Sequence, residues 1–250
     1  MTHETRPRTV KINGRRYTYL TLGEQQPLIF IPGWCDQSDD YLGLIKELSK
    51  NFKVYVPDLP NFGKSRTKEK FCFDTYSKFL TGFIETLKIK NPTIVGFSFG
   101  GIIAVDLAYK TDLKSVFLIN SLGAPDMKPK LFLFISILAN TILEIGSSPV
   151  HMTKILYHWF RNFLSNVWRR DFRSFQNQIL YTGHPSISKV DEKITVIWSI
   201  NDVIFKPEYP FILKNSFQNA RLIRLPGGHF DCTLNPKKYA KIITKNGSEN

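Results

Sequence analysis

The chain is predicted to be an α/β protein: a mostly parallel sheet with helices on both faces and one inserted helical cap. Three observations predict this. Short continuous apolar runs recur at 27–31, 53–56, 93–95, 115–120 and 194–198, as expected of strands buried on both faces. Most of the gaps between them carry apolar residues at helical spacing, which makes strand and helix alternate. One gap, Leu122 to Lys193, is far longer than a single crossover helix needs and is rich in helical and aromatic character.

The elements follow in order. Thr9–Asn13 and Arg15–Leu22 alternate in hydrophobicity around Asn13-Gly14, a strong hairpin signal. Pro27–Ile31 is the first buried strand and ends in Pro32-Gly33-Trp34. Ser38 is placed to cap a helix whose apolar face is Tyr41, Leu44, Ile45 and Leu48, and Lys53–Val56 is the next strand. Leu59–Ser65 is a turn-rich loop that runs into the basic stretch Lys64–Lys70. Asp74 is expected to cap a helix that buries Tyr76, Phe79, Leu80, Phe83, Ile84 and Leu87. Thr93–Val95 passes through a glycine-rich turn into a helix carrying Ile102, Ile103, Val105, Leu107 and Ala108. Ser115–Asn120 and Ile194–Trp198 are strands on either side of the long insertion. A helix around Pro207–Phe217, a strand at Arg221–Leu225, the loop Pro226–His229 and a short helix from Pro236 to Thr244 complete the chain, with Asn246–Asn250 expected to be disordered. The core is therefore assigned to 1–121 and 194–250, and the cap to 122–193.

Composition bounds the class. A chain of 250 residues with 42% hydrophobic content buries a full core as one domain. Met1–Val10 has no apolar segment of the kind a secretory signal requires. The longest apolar stretch, Leu131–Leu143, is broken by Ser136, Asn140 and Thr141 and falls short of the roughly 18 residues of a spanning helix. Cys35, Cys72 and Cys232 are scattered and odd in number, which fits a reducing compartment, so a soluble cytoplasmic protein is expected. The net charge of +13 is spread along the chain with no zinc-finger or RNA-recognition pattern, so it reads as a lysine-rich surface and not as a nucleic-acid site. The histidines have no ligand spacing, and neither a metal nor another cofactor is expected.

The chemistry concentrates at Gly96-Phe97-Ser98-Phe99-Gly100, a Gly-x-Ser-x-Gly pattern lying where a strand enters a helix. A serine nucleophile needs a base, a group to orient that base, and an oxyanion hole. In a parallel sheet such groups belong at the carboxyl ends of strands. Asp202 follows the Ile194–Trp198 strand, and His229 follows the Arg221–Leu225 strand in a glycine-flanked loop. The order Ser98, Asp202, His229 is nucleophile, acid, base. Asp126, after another strand, is the reserve candidate for the acid.

On Pro32-Gly33-Trp34, Asp58-Leu59-Pro60-x-Phe62-Gly63-x-Ser65, the Gly-x-Ser-x-Gly turn, Asp202 and Gly228-His229, the chain resembles the α/β-hydrolase superfamily over nearly its whole length. Its Gly-Trp and Asp-Leu-Pro loops are similar to those of carboxylesterases acting on pimeloyl-carrier-protein methyl esters. That family usually has His before the first Gly where this chain has Pro32, and Gly where it has Asn61 and often where it has Ser199.

The resemblance implies a serine hydrolase of the carboxylesterase type. His229 is expected to take the Ser98 proton, with Asp202 fixing its tautomer. The backbone N–H groups of Trp34 and Phe99 are expected to form the oxyanion hole, and Trp34 and Phe97 to wall the pocket. The expected substrate is a small or medium apolar acyl ester. The alternatives are a receptor or carrier for a hydrophobic small molecule on the same fold, and a cofactor-free C–C bond hydrolase. The cap segments Leu131–Leu143 and Ile155–Phe163 read as an apolar roof. Its basic, aromatic-laced stretch holds Lys154, Arg161, Arg169, Arg170 and Arg173, with Tyr157, Trp159, Phe160, Phe163, Trp168 and Phe172 interleaved. It admits three readings: a solvated face over core aromatics, a docking patch for an acidic carrier protein, or a patch for anionic lipid.

Overall fold

The computed structural model of the chain describes residues 6–65, 67, 73–122 and 194–248, and between the last two stretches residues 150, 153–154, 156–158, 160–161 and 164. β1 (Arg8–Ile12) and β2 (Arg15–Leu22) form the hairpin, with Ile12 opposite Arg15. Asn13 and Gly14 both have positive φ, 47° and 81°, as a two-residue hairpin turn demands. β3 (Gln26–Ile31), β4 (Phe52–Pro57), β5 (Thr93–Phe97), β6 (Ser115–Ile119), β7 (Ile194–Ser199) and β8 (Arg221–Leu225) follow. Among the described residues these eight strands make one sheet in the order β1-β2-β4-β3-β5-β6-β7-β8. The two pairings that β2 makes are antiparallel, and the rest are parallel.

The helices are α1 (Leu42–Leu48), α2 (Phe73–Thr86), α3 (Phe99–Ala108), α4 (Tyr209–Asn215), α5 (Asp231–Leu234) and α6 (Pro236–Ser248). They lie on both faces because both faces are apolar. In β3, Ile29 and Ile31 join the core cluster shared with α2, α3 and α4, while Leu28 and Phe30 join the one shared with α1 and α6. That is the two-residue strand period acting on a continuous apolar run. Every residue of β5, β6 and β7 is buried, whereas β8 exposes Arg221 and Arg224 at the sheet edge. α3 is buried from Phe99 to Leu107, which accounts for a helix that is apolar all round.

Three expectations need correction. Ser38 does not cap an α-helix: it begins a 3-10 turn, Ser38–Tyr41, whose N-cap is Gln37, and α1 starts only at Leu42. The Ser38 N–H instead donates to Asp58 Oδ1 at 2.7 Å, a partner twenty residues away. Asp74 lies inside the first turn of α2, paired with Lys78 one turn on. The tail is more ordered than its composition suggests: α6 runs to Ser248, and the Asn246 amide donates to the Ile242 carbonyl at 2.8 Å. Of the two segments expected to form an apolar roof, Leu131–Leu143 lies outside the described residues, as do Ile155, Trp159, Asn162 and Phe163 of the second; Asp126 and Cys72 lie outside them too. Among the described residues no helix is long and apolar enough to cross a membrane.

Candidate active site

Ser98 sits between the last residue of β5 and the first of α3 with φ 49° and ψ −117°, a conformation that costs of order 1–3 kcal/mol for a non-glycine residue. The surrounding backbone holds it there. Its N–H donates to Ile119 O at 3.0 Å, and its carbonyl accepts from Gly101 and Leu122, each at 3.0 Å. The glycines of the motif are required by close approach. A Cβ on Gly96 would lie 2.6 Å from Gly100 O, and one on Gly100 would lie 2.2 Å from Ile31 O. The turn thus lifts the Ser98 side chain off the end of the sheet.

His229 and Asp202 arrive from the ends of β8 and β7. His229 Nε2 is 3.1 Å from Ser98 Oγ, and His229 Nδ1 is 2.7 Å from Asp202 Oδ2. As a carboxylate Asp202 only accepts, so Nδ1 carries the proton and Nε2 is left to accept from the Ser98 hydroxyl. Asp202 Oδ1 accepts from the Ile204 N–H at 2.9 Å, which fixes the carboxylate. Both side chains are buried, and the rings of Phe97, Phe205 and Phe230 surround the imidazole at centroid distances of 5.1, 5.6 and 5.1 Å. Burial of this kind strengthens each electrostatic contact in the chain of three.

The other expected site residues are placed as follows. Phe97 is fully buried beneath His229, where its ring packs against Tyr41 and Phe230 as well. Phe99 is buried at the start of α3 with Tyr76 edge-on at 5.6 Å, and Trp34 is half-buried against the α2 and α3 side of the core. Cys35 and Cys232 are fully buried and in no disulfide. Burial, and then the charge of Asp36, hold the Cys35 thiol well above its usual range, so it stays neutral.

Several residues to which the sequence alone assigned no role support the site. Asn120, just past β6 with φ 41°, donates to Ser199 Oγ (3.0 Å), His229 O (2.8 Å) and Gly228 O (3.3 Å), while its Oδ1 accepts from the Ser199 N–H (2.8 Å). The rule that pointed to Asp202, a polar residue at the carboxyl end of a strand, points to Asn120 equally. Ser199, at a position where the esterases often have Gly, bonds Tyr239 Oη at 2.8 Å and so ties β7 to α6. Asn61 takes φ 71°, a region that Asn tolerates better than most residues.

Two described residues of the segment expected to form a cap bond the turn that precedes α1. His158 Nδ1 is 2.6 Å from Asp40 Oδ1, and the Arg161 guanidinium donates to Gln37 Oε1 at 2.8 Å. Tyr157 and Phe160 are 62% and 56% exposed, so these two of the interleaved aromatics are not core residues. Arg169, Arg170 and Arg173 lie outside the described residues. No group of three or more His, Cys, Asp or Glu side chains is placed to hold a metal among the described residues.

The strand order, the strained serine turn and the residues gathered at the strand ends are those of the α/β-hydrolase fold, and the model of the alpha/beta hydrolase fold family matches residues 26–145. Among curated relatives, an uncharacterized hydrolase of Saccharomyces cerevisiae is 23% identical over 89% of this chain and 89% of its own length. A pimeloyl-[acyl-carrier protein] methyl ester esterase of Wigglesworthia glossinidia brevipalpis is 30% identical, over 38% of this chain and 36% of its own length. The enol-lactonase of Burkholderia xenovorans superposes with a TM-score of 0.81 at 19% identity, covering 97% of this chain and 100% of that structure.

Proposed function

We propose that this protein is a serine esterase that cleaves carboxylic esters of small to medium apolar acyl groups through an acyl-enzyme. The observation that carries the reading is the buried hydrogen-bonded chain from Ser98 Oγ through His229 to Asp202. His229 Nε2 takes the Ser98 proton as the hydroxyl attacks the ester carbonyl, and the Asp202 carboxylate stabilises the imidazolium that forms. The negative charge appears on the former carbonyl oxygen, where the N–H groups of Phe99 and Trp34 would receive it, aided by the positive end of α3. His229 then protonates the departing alcohol. Water, with His229 again as base, hydrolyses the acyl-enzyme. The apolar acyl preference is supported by the rings of Phe97, Phe205 and Phe230 packed around His229. A cytoplasmic location fits the burial of Cys35 and Cys232 outside any disulfide.

The test is covalent labelling by a fluorophosphonate together with hydrolysis of a series of p-nitrophenyl esters of increasing acyl length. The wild type should label at one site and turn over the shorter esters, and Ser98→Ala should do neither. An unlabelled wild type with no ester turnover would leave a binding protein on a hydrolase fold.

A further inference from the structure

Behind the proposed oxyanion loop lies a buried acid–phenol pair that the hydrolytic chain does not use. Asp36 and Tyr41 are 4% and 1% exposed, on the turn that follows β3. Tyr41 Oη donates to Asp36 Oδ2 at 2.5 Å, and the same hydroxyl accepts from the Gly33 N–H at 3.3 Å. The Asp36 N–H closes the turn on Gly33 O at 3.3 Å. Contact from behind is tight: a Cβ on Gly33 would lie 2.4 Å from Asp36 Oδ2 and 3.1 Å from the Phe97 ring. The Tyr41 ring is wedged between Phe30, at 4.5 Å, and Phe97, at 5.9 Å, and Phe97 in turn carries His229. Gly33 is therefore gripped at its N–H, its carbonyl and its Cα.

Such a pair is a poor way to fill a core. Burial, reinforced by the charge of Asp40, pushes the Asp36 carboxyl up to about 7, against the opposing pull of Tyr41, His229 and the Gly33 amide. Replacing both members of a buried polar pair by apolar groups of the same shape is commonly neutral or stabilising, so packing alone does not call for this pair. What the pair supplies is geometry. With the Gly33 N–H engaged by Tyr41, the next amide in the chain is that of Trp34, and an oxyanion donor is effective only within a few tenths of an ångström of its optimum.

We propose that Asp36 and Tyr41 are positioning residues for the oxyanion loop: Tyr41, oriented by Asp36, holds the Pro32–Gly33 peptide through the Gly33 N–H, while the Asp36 N–H holds the adjoining Gly33–Trp34 peptide through Gly33 O, so that together they set the direction of the Trp34 N–H. This rests on reading Ser98 as the nucleophile and the Trp34 amide as an oxyanion donor. Tyr41→Phe keeps the ring between Phe30 and Phe97 and removes only the hydroxyl. Asp36→Asn keeps an oxygen that accepts from Tyr41, whereas Asp36→Leu does not.

The experiment measures kcat and KM for a soluble p-nitrophenyl ester with the wild type, these three variants and Ser98→Ala, with a thermal melt of each to verify folding. Tyr41→Phe and Asp36→Leu are expected to lower kcat about 10- to 100-fold with KM within about 3-fold, the size of effect that a small misplacement of a catalytic group produces. Asp36→Asn should recover most of that loss, which a purely packing role would not predict. Folded Tyr41→Phe or folded Asp36→Leu with wild-type kcat overturns the proposal. So does Asp36→Asn as impaired as Asp36→Leu. If Tyr41→Phe does not fold, the Asp36 pair decides alone. Ser98→Ala with wild-type turnover overturns the nucleophile reading instead, and an inactive Ser98→Ala beside an unimpaired Tyr41→Phe removes only the positioning role.

Discussion

At the scale of single residues, the unusual groups are carboxyls kept out of water. Asp58 is held above its ordinary range by burial, although the Ser38 and Lys64 N–H groups, at 2.7 and 2.8 Å, pull the other way. Burial, and then the charge of Asp40, raise the Asp36 carboxyl from 3.8 to about 7. Because its pKa in the folded chain lies above the unfolded one, the folded state holds an extra proton between roughly pH 4 and 7. Its contribution to stability therefore falls as pH rises through that window and stays unfavourable above it. Asp36→Asn removes the titration while Asp58 remains in both proteins. Between pH 5 and 8 the unfolding free energy of the variant should fall about 2–3 kcal/mol less than that of the wild type. Urea melts at the two pH values measure this, and parallel declines would show that Asp36 ionises freely in the folded protein.

At the scale of elements, the site depends on how strand ends are fastened to one another. Asn120 is the fastening between β6, β7 and the His229 loop, since its one amide group meets Ser199, Gly228 and His229. Asn120→Ala leaves the buried Ser199 N–H and His229 carbonyl without these bonds and puts alanine at φ 41°. The expected loss is about 2–4 kcal/mol in urea unfolding, with kcat reduced in the same variant because the histidine loop is no longer held. A variant as stable as the wild type would mean that the loop is held by other contacts. The hairpin at Asn13-Gly14 and the buried strands were legible in the sequence because their determinants are local: turn residues and continuous apolar runs. The start of α1 was not. Ser38 has the right chemistry for a cap, but the Asp58 side chain engages its N–H from another loop, and the turn tightens to 3-10 geometry before the α-helix begins.

For the molecule as a whole, the sheet is stable because it is covered on both faces. α6 supplies much of one cover: Tyr239 and Ile243 are fully buried there, and Phe52 and Phe117 lie beneath Gly247. Its polar last turn belongs to the fold because it continues a helix already anchored by those residues. Ile243→Ala should cost about 2–5 kcal/mol, a drop in Tm of roughly 5–15 °C. Ile212→Ala, at a residue 40% exposed on α4, should change Tm by no more than a degree or two. Comparable melting of the two variants would show that α6 is not part of the cooperative unit.

The amino-acid sequence by itself determined the alternation of strands and helices, the strained turn at Ser98 and the positions of Asp202 and His229 along the chain. Each of these follows from local patterning and from the rule that ligands gather at strand ends. Only the tertiary structure decided that Asn120, Ser199 and Tyr239 fasten the histidine side of the site, and that Asp36 and Tyr41 grip Gly33. Those roles come from contacts between polar groups brought together by strand order, some of them about eighty residues or more apart in the chain. A hydrogen bond of that span leaves no periodicity in the sequence, because its geometry exists only once the sheet has formed.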